Sequence, residues 1–343
     1  MANRIVECVP NFSEGRDQDI IRAISDAGRG IPGAKVLGIE PDPDYNRTVL
    51  TIAGEPEAVS TAAFNVISAA YEHIDMRNHS GEHPRIGAVD VCPFVPLMGL
   101  TMEDCANLAR KLAKKVSSEL GICTFLYGEA ASTTDRKLLS DLRKGEYESL
   151  RTRLENNGPF LPDMGPKEWN EKTAKFGAVV IGARQILVAY NVNVDEKDAR
   201  AAKIAGSLVR SSGRLLKQED GRKTRIPGML PMVQGMGLPL EAHGISQVSM
   251  NLRDISVTPM HIAFEAVKSI VGDHGVETCG SELVGLIPLS AMIDSGKWYA
   301  PPDCTDEEIL VQSAIDGLGL DFLSPFVPEE RIIEWALATG AES

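Results

Sequence analysis

The chain has 343 residues, 43% hydrophobic and 24% charged, with a formal net charge of −13. That length suggests two domains or subdomains, each with its own core, and the acidic balance excludes a chain built around nucleic-acid backbone or an anionic membrane surface. No leader is legible in MANRIVECVPNFSEG, no stretch has the roughly 18 uncharged apolar residues of a membrane helix, and Cys8, Cys92, Cys105, Cys123, Cys279 and Cys304, with no CxxC pair, read as reduced thiols of a cytoplasmic protein.

In chain order, RIVECV (4–9) reads as a strand and DQDIIRAISDAGRG (17–30) as a helix with an Asp start and a Gly stop. AKVLGI (34–39) and RTVLTIAG (47–54) read as strands around the turn-rich EPDPDYN. PEAVSTAAFNVISAAYEHI (56–74) is a helix with Pro in its first turn, and IGAVDVCPFVP (86–96) returns to strand. A helix at 102–121 and a strand at 122–128 follow. After a polar, turn-rich segment at 155–176, the β-α-β-β-α-β order repeats. It runs as strand 185–194, helix 196–213, strands in 229–237 and 246–258, helix 260–275 and strand 283–289. Helices at 305–319 and 327–340 close the chain. The repeat is one of architecture, with no sequence period.

Three of the six histidines fall within eleven residues, and His79-Ser80-Gly81-Glu82-His83 matches the inverted zinc-protease pattern. That pattern needs one helical turn to present both histidines. Gly81 and Pro84 cost about 1 and about 3 kcal/mol in a helix interior, and the residue before a proline leaves the α region. The stretch therefore reads as a loop feeding a strand. Three readings of His83 stay open on the residues alone: packing at the strand start, a metal ligand, or a proton shuttle beside Glu82 and Arg85. Gly235-Met236-Gly237 begins like a dinucleotide loop but lacks the third glycine; no phosphate-cradling GxxxxGK[ST] and no GxSxG elbow occurs. Cys92 is a nucleophile by type, but it sits inside a strand and is followed by Pro93.

Several stretches together resemble one family: VECVPNFSEGR (6–16), DYNRTVLTIAG (44–54), GEHPRIGAVDVCPFVP (81–96), LYGEAA (126–131), ILVAYNVNV (186–194), LVGLIPLSAM (283–292) and ERIIEW (330–335). They are similar, in order and over nearly the whole chain, to the glutamate formimidoyltransferases, including the transferase part of formiminotransferase-cyclodeaminase. The cyclodeaminase part has no counterpart here, which implies a stand-alone transferase. The resemblance implies transfer of a formimidoyl group from N-formimidoyl-L-glutamate to N5 of tetrahydrofolate, in histidine breakdown. Close alternatives are the same chemistry on formimidoylglycine, or a folate-binding protein without turnover. It implies an α/β (α+β) fold of two ferredoxin-like subdomains, 1–186 and 187–331, each a sheet with helices on one side. It further implies a ligand groove between them and a helix or tail at 332–343. It also implies a homodimer and tetrahydrofolate as acceptor co-substrate; the Gly81–Pro84 loop, which cannot present two histidines on a helix, leads to the expectation of no metal.

Carried over residue by residue, the resemblance puts the catalytic histidine on His83. The folate loop falls on Gly165, Pro166, Lys167, Glu168, Trp169, Asn170, Glu171, Lys172, Thr173, Ala174, Lys175, Phe176 and Gly177. An acidic position after the second strand falls on Glu40. Both substrates carry carboxylates, and a guanidinium fork matches a carboxylate with two parallel bonds, so Arg47, Arg85 and Arg184 are candidate substrate-binding residues.

Overall fold

A computed structural model describes residues 4–156, 161–218 and 220–339; the chain divides after Gln185 into two compact units. Residues 1–3 of the N-terminal stretch, 157–160 of the turn-rich segment and 340–343 of the tail lie outside the described residues.

In unit 1, β1 (Ile5–Cys8) and β2 (Asn11–Phe12) are one strand interrupted at Pro10, which has no N–H for a ladder. Helix α1 (Gln18–Asp26) starts where the Asp17 carboxylate accepts from the backbone N–H of Asp19 and Ile20. β3 (Ala34–Asp42) and β4 (Arg47–Gly54) form a hairpin, and α2 (Pro56–His73) lays alanines and branched aliphatics on the sheet. β5 (Val89–Met98) pairs antiparallel with β1 and β2. A Thr101–Asp104 capping box opens α3 (Met102–Lys115), whose wider π-helical last turn closes on Gly121. β6 (Cys123–Gly128), α4 (Leu139–Leu142), α5 (Glu146–Glu155), α6 (Glu171–Phe176) and β7 (Ala178–Ala183) complete the unit. The antiparallel order is β5–β1–β4–β3, and β7 and then β6 join β5 in parallel.

One face of this sheet buries Cys8, Phe12, Val36, Leu50, Ile52, Cys92 and Phe94 against α1, α2 and α3. The expectation of helices on a single side is corrected by the other face. There Val91, Val180, Phe125 and Tyr127 pack against Leu142, Leu150 and Leu154 of α4 and α5. Parallel strands expose apolar side chains on both faces and need cover on both. The alternation of β4 puts Arg47, Val49 and Thr51 on this second face too, with Glu40 and Asp42 of β3 opposite Val49 and Arg47.

Unit 2 is built on β8 (Val188–Val194), α7 (Arg200–Val209), the hairpin β9 (Arg214–Lys217) and β10 (Lys223–Ile226), β11 (Val233–Leu240), β12 (Ile245–Leu252), α8 (Met260–Gly272) and β13 (Thr278–Val284). The sheet order is β11–β12–β8–β13, all antiparallel. Tyr190, Val192, Val248 and Met250 face the helices, while Asn191, Asn193, Gln247 and Glu282 occupy the other face, where Gln247 Nε2 donates to Asn193 Oδ1 (2.8 Å) and Glu282 Oε2 (3.1 Å). A Cβ on Gly237 would lie 2.2 Å from the backbone of Ala202, so this glycine lets α7 approach β11.

Two expectations are corrected here. The strand read at 283–289 lies earlier, at β13, and the apolar run continues through Gly285 (φ +81°) into an unforeseen helix, α9 (Leu289–Tyr299). The hairpin β9–β10 lies between the helix read at 196–213 and the strand read in 229–237, a stretch to which the sequence assigns no element. The closing helices are α10 (Glu307–Leu318), α11 (Pro328–Arg331) and α12 (Ile333–Thr339); α12 is no separate tail but part of unit 2, burying Ile333 and Ala336. Among the described residues no helix is long and apolar enough to cross a membrane.

Candidate active site

The residues from His79 to Arg85 form a loop, as Gly81 and Pro84 require. Asn46, in the left-handed conformation at the β3–β4 turn, anchors it. Its Nδ2 donates to the Ser80 carbonyl (2.9 Å), its Oδ1 accepts from Gly15 N–H (3.0 Å), and its own carbonyl accepts from His79 Nε2 (3.1 Å). Arg85 Nε donates to His79 Nδ1 (3.2 Å), so both ring nitrogens of His79 are spent within the protein. Burial, reinforced by the Arg85 charge, lowers the His79 pKa.

His83 differs. Its Nε2 accepts from Arg47 Nη1, the Tyr45 ring stands edge-on at 6.0 Å, and Nδ1 is buried without a hydrogen-bond partner. Desolvation above all, then the guanidinium groups of Arg47 and Arg143, push its pKa down to about 4. The imidazole is thus neutral near pH 7. Arg143 is itself fixed: it pairs with Asp90, 1% exposed, whose Oδ1 also accepts from Ile86 N–H (3.0 Å). Beside the loop a cleft of about 690 Å³ is lined by Arg16, Asp42, Asp44, Tyr45, Ser80, Gly81 and Glu82. A second hollow, about 560 Å³, lies against α3; its charges pair among themselves, as in Arg4–Asp104 (3.3 Å) and Lys111–Glu57 (3.4 Å), and it holds no histidine.

The candidates singled out in the sequence fare unequally. Glu40 and Arg47 share a sheet face. Arg85 is corrected. It is 7% exposed, and its guanidinium is spent on Glu146 (2.9 Å), Glu148 (2.6 and 2.9 Å) and His79, leaving no open fork for a substrate carboxylate. Arg184 follows β7 and donates to the Gln185 carbonyl (2.9 Å). Cys92 is fully buried on the face beneath α3, with its Sγ 3.5 Å from that of Cys8.

In the 165–177 segment, Asn170 caps α6 by accepting from the N–H of Lys172 and Thr173, and Thr173 returns the bond. Trp169 packs on Tyr147, whose hydroxyl donates to the Ala174 carbonyl (2.6 Å). Lys172 reaches the Leu120 carbonyl (3.4 Å), Lys175 the Glu72 carbonyl (3.1 Å), and Glu171 pairs with Arg77 (3.1 Å). Lys167 and Glu168 are exposed. The segment ends beside the loop: Gly177 bridges Gly87, and Ala88 N–H donates to the Phe176 carbonyl (2.7 Å). Tyr45, Asn46, Asp90, Arg143, Glu146 and Glu148 were missed from sequence; among them only the acidic turn DPDYN gave a local sign.

Residues 5–184 match the N-terminal subdomain of the formiminotransferase domain, and residues 189–338 match the formiminotransferase domain. The chain belongs to the formiminotransferase family. It is 41% identical over 97% of its length to the formimidoyltransferase-cyclodeaminase of Mus musculus, of which it spans 60%. It is 40% identical to the glutamate formimidoyltransferase of Thermoplasma acidophilum, with 91% of this chain and 97% of that protein covered. With the glutamate formimidoyltransferase of Streptococcus pyogenes the figures are 36%, 86% and 93%. This formiminotransferase chain thus covers about 60% of its bifunctional relatives but nearly all of the monofunctional ones.

Proposed function

We propose that the chain is a glutamate formimidoyltransferase, moving the formimidoyl group of N-formimidoyl-L-glutamate to N5 of tetrahydrofolate and releasing L-glutamate. The observation that carries this is 40% identity to a protein of that name over 97% of its length. The neutral, half-buried imidazole of His83 supports the chemistry. N5 attacks the amidine carbon, the C–N5 bond forms, and His83 takes the N5 proton. In the tetrahedral intermediate His83 returns that proton to the glutamate nitrogen, the C–N bond to glutamate breaks, and the C=N bond re-forms. One base that becomes the acid serves both steps, a contribution of about 10²–10⁴-fold.

The 165–177 segment, through Gly177 beside Gly87, is read as the folate-binding loop, with Lys167 toward the folate's glutamyl tail. Glu40 and Arg47, on one sheet face, are read as donor-binding. The strand orders β5–β1–β4–β3 and β13–β8–β12–β11 support reading each unit as ferredoxin-like. A homodimer belongs to the same reading. The test is turnover of purified protein with tetrahydrofolate and either formimidoylglutamate or formimidoylglycine, followed by absorbance of the folate product. Turnover with the glutamate donor is expected. Preference for the glycine donor, or folate binding without turnover, overturns the assignment.

A further inference from the structure

Arg47 stands between the two tasks given to this site. Its Nη1 donates to His83 Nε2, so the ring lone pair a proton would use is already occupied. Its Nε is buried and has no hydrogen-bond partner. A half-buried guanidinium with an unused, buried donor at Nε and a neutral acceptor at Nη1 is poorly satisfied. A carboxylate would accept two parallel, charge-assisted bonds from it, each stronger than a bond to neutral imidazole.

Resting on the proposed transferase reading, we propose that Arg47 is a substrate-sensing positioning residue. It caps His83 Nε2 until a carboxylate of the donor takes its guanidinium, and only then is the imidazole free to accept the N5 proton.

The charges around His83 fit this division of labour. Arg47 comes from β4, Asp42 from the end of β3, Arg143 from the end of α4, Asp90 from β5, and the Tyr45 phenol from the intervening turn. Asp42 Oδ1 accepts from the N–H of Asp44 and Tyr45 (both 3.0 Å), and Arg143 is held by Asp90. Arg47 is the cation of this set whose bond to His83 a ligand can replace. Neutralising it removes one of the two charges that hold the imidazole pKa near 4. His83 therefore becomes a stronger base when the donor is bound than when it is not. Donor-first activation follows: the acceptor amine meets a competent base only beside a donor.

The test follows the His83 imidazole by NMR in protein labelled at histidine Cε1, with His83→Gln assigning the signal. L-Glutamate, the product carrying both carboxylates, is the probe, and its binding is checked by calorimetry. In the wild type, saturating glutamate is expected to raise the His83 pKa by about one unit or more. Arg47→Gln is expected to raise it similarly without glutamate and to abolish the response. In steady state, Arg47→Gln should raise KM for the donor about tenfold or more, and the acid limb of kcat/KM should move toward the ordinary imidazole range. A merely structural role would lower kcat and move neither the KM nor the limb. Arg47→Lys keeps the cation without the fork, and serves if Arg47→Gln does not fold; its response to glutamate should be smaller than wild type. The proposal is overturned if glutamate does not bind the wild type, if bound glutamate leaves the His83 titration unmoved, if Arg47→Gln leaves it low, or if Arg47→Lys responds like wild type. Absence of turnover in the wild type would refute the transferase reading, while the comparison of wild type with Arg47→Gln still reads the cap itself.

Discussion

Gly177 passes Gly87 so closely that a Cβ on Gly177 would lie 2.3 Å from the Ile86 carbonyl oxygen, and Gly177 itself has φ +78°. Here the end of the 165–177 segment is bonded to the strand that leaves the His83 loop. Gly177→Ala meets both a backbone clash and an unfavourable φ, and such combinations cost about 2–4 kcal/mol. A drop of that size in urea-unfolding stability is expected, with weaker folate binding in the protein that remains folded. Wild-type stability in this variant would show that the two segments are not held together by this crossing.

His83→Ala should lower kcat by about 10²–10⁴-fold with much smaller changes in substrate affinity, because a proton-transfer group acts in the transition state. His79→Ala should cost less turnover, since both nitrogens of that ring are bonded inside the protein. Steady-state kinetics on the two variants distinguishes them. Near-normal kcat in folded His83→Ala would move the shuttle elsewhere, with Glu40 the next residue to replace.

The same histidine makes stability depend on pH in a defined direction. Its folded pKa, about 4, lies below the value of about 6.5 expected in the unfolded chain. Between those values the unfolded state binds a proton that the folded state does not, so acidification from about pH 6.5 toward 4 favours unfolding, and below 4 the contribution stops changing. His79, lowered in the same direction, adds to the effect. The urea midpoint of the wild type should fall between pH 7 and 5, and the fall should be shallower in His83→Gln. Parallel curves for the two proteins would refute the depressed pKa.

Arg85→Gln removes the donors that serve Glu146, Glu148 and His79. Because the two glutamates are partly exposed, water takes over some of the lost bonds, and the expected loss is about 1–3 kcal/mol rather than the full cost of breaking a buried pair. Arg85→Lys should recover only part, since an ammonium group cannot span three partners. Denaturant unfolding measures this. A stable Arg85→Gln with a raised donor KM would restore Arg85 to the substrate side.

Elements whose ends carry chemical punctuation were legible in the sequence. β4 was read at its observed limits, Arg47–Gly54, because a turn-forming Asp-Pro-Asp stretch precedes it and a glycine ends it. Helix α2 begins at the expected Pro56. The run LVGLIPL defeated the reading because an unbroken apolar stretch has no period, and here strand end, Gly285 and helix start share it. β9 and β10 are exposed on both faces, so no alternation marks them; the Asp220-Gly221 turn was the available sign. At the site, clustered residues around His83 drew attention, whereas its partner Arg47 lies 36 residues away and the Asp90–Arg143 pair spans 53. Arg85 misled for the same reason: its carboxylates are 61 and 63 residues downstream, and beside a histidine an arginine looks like a ligand group.

β7 is the last strand of unit 1 in the chain, yet it lies between β5 and β6. During synthesis, therefore, β5 and β6 have no shared neighbour until Ala178–Ala183 has emerged. The β3–β4 hairpin can zip as it appears; the parallel strands must wait for a long-range insertion, the slower kind of pairing. The residues drawn in by that insertion directly follow the 165–177 segment. Closing the sheet and seating the segment against the His83 loop are thus one event, and a nascent chain stopped before residue 178 carries His83 without the backbone that frames it.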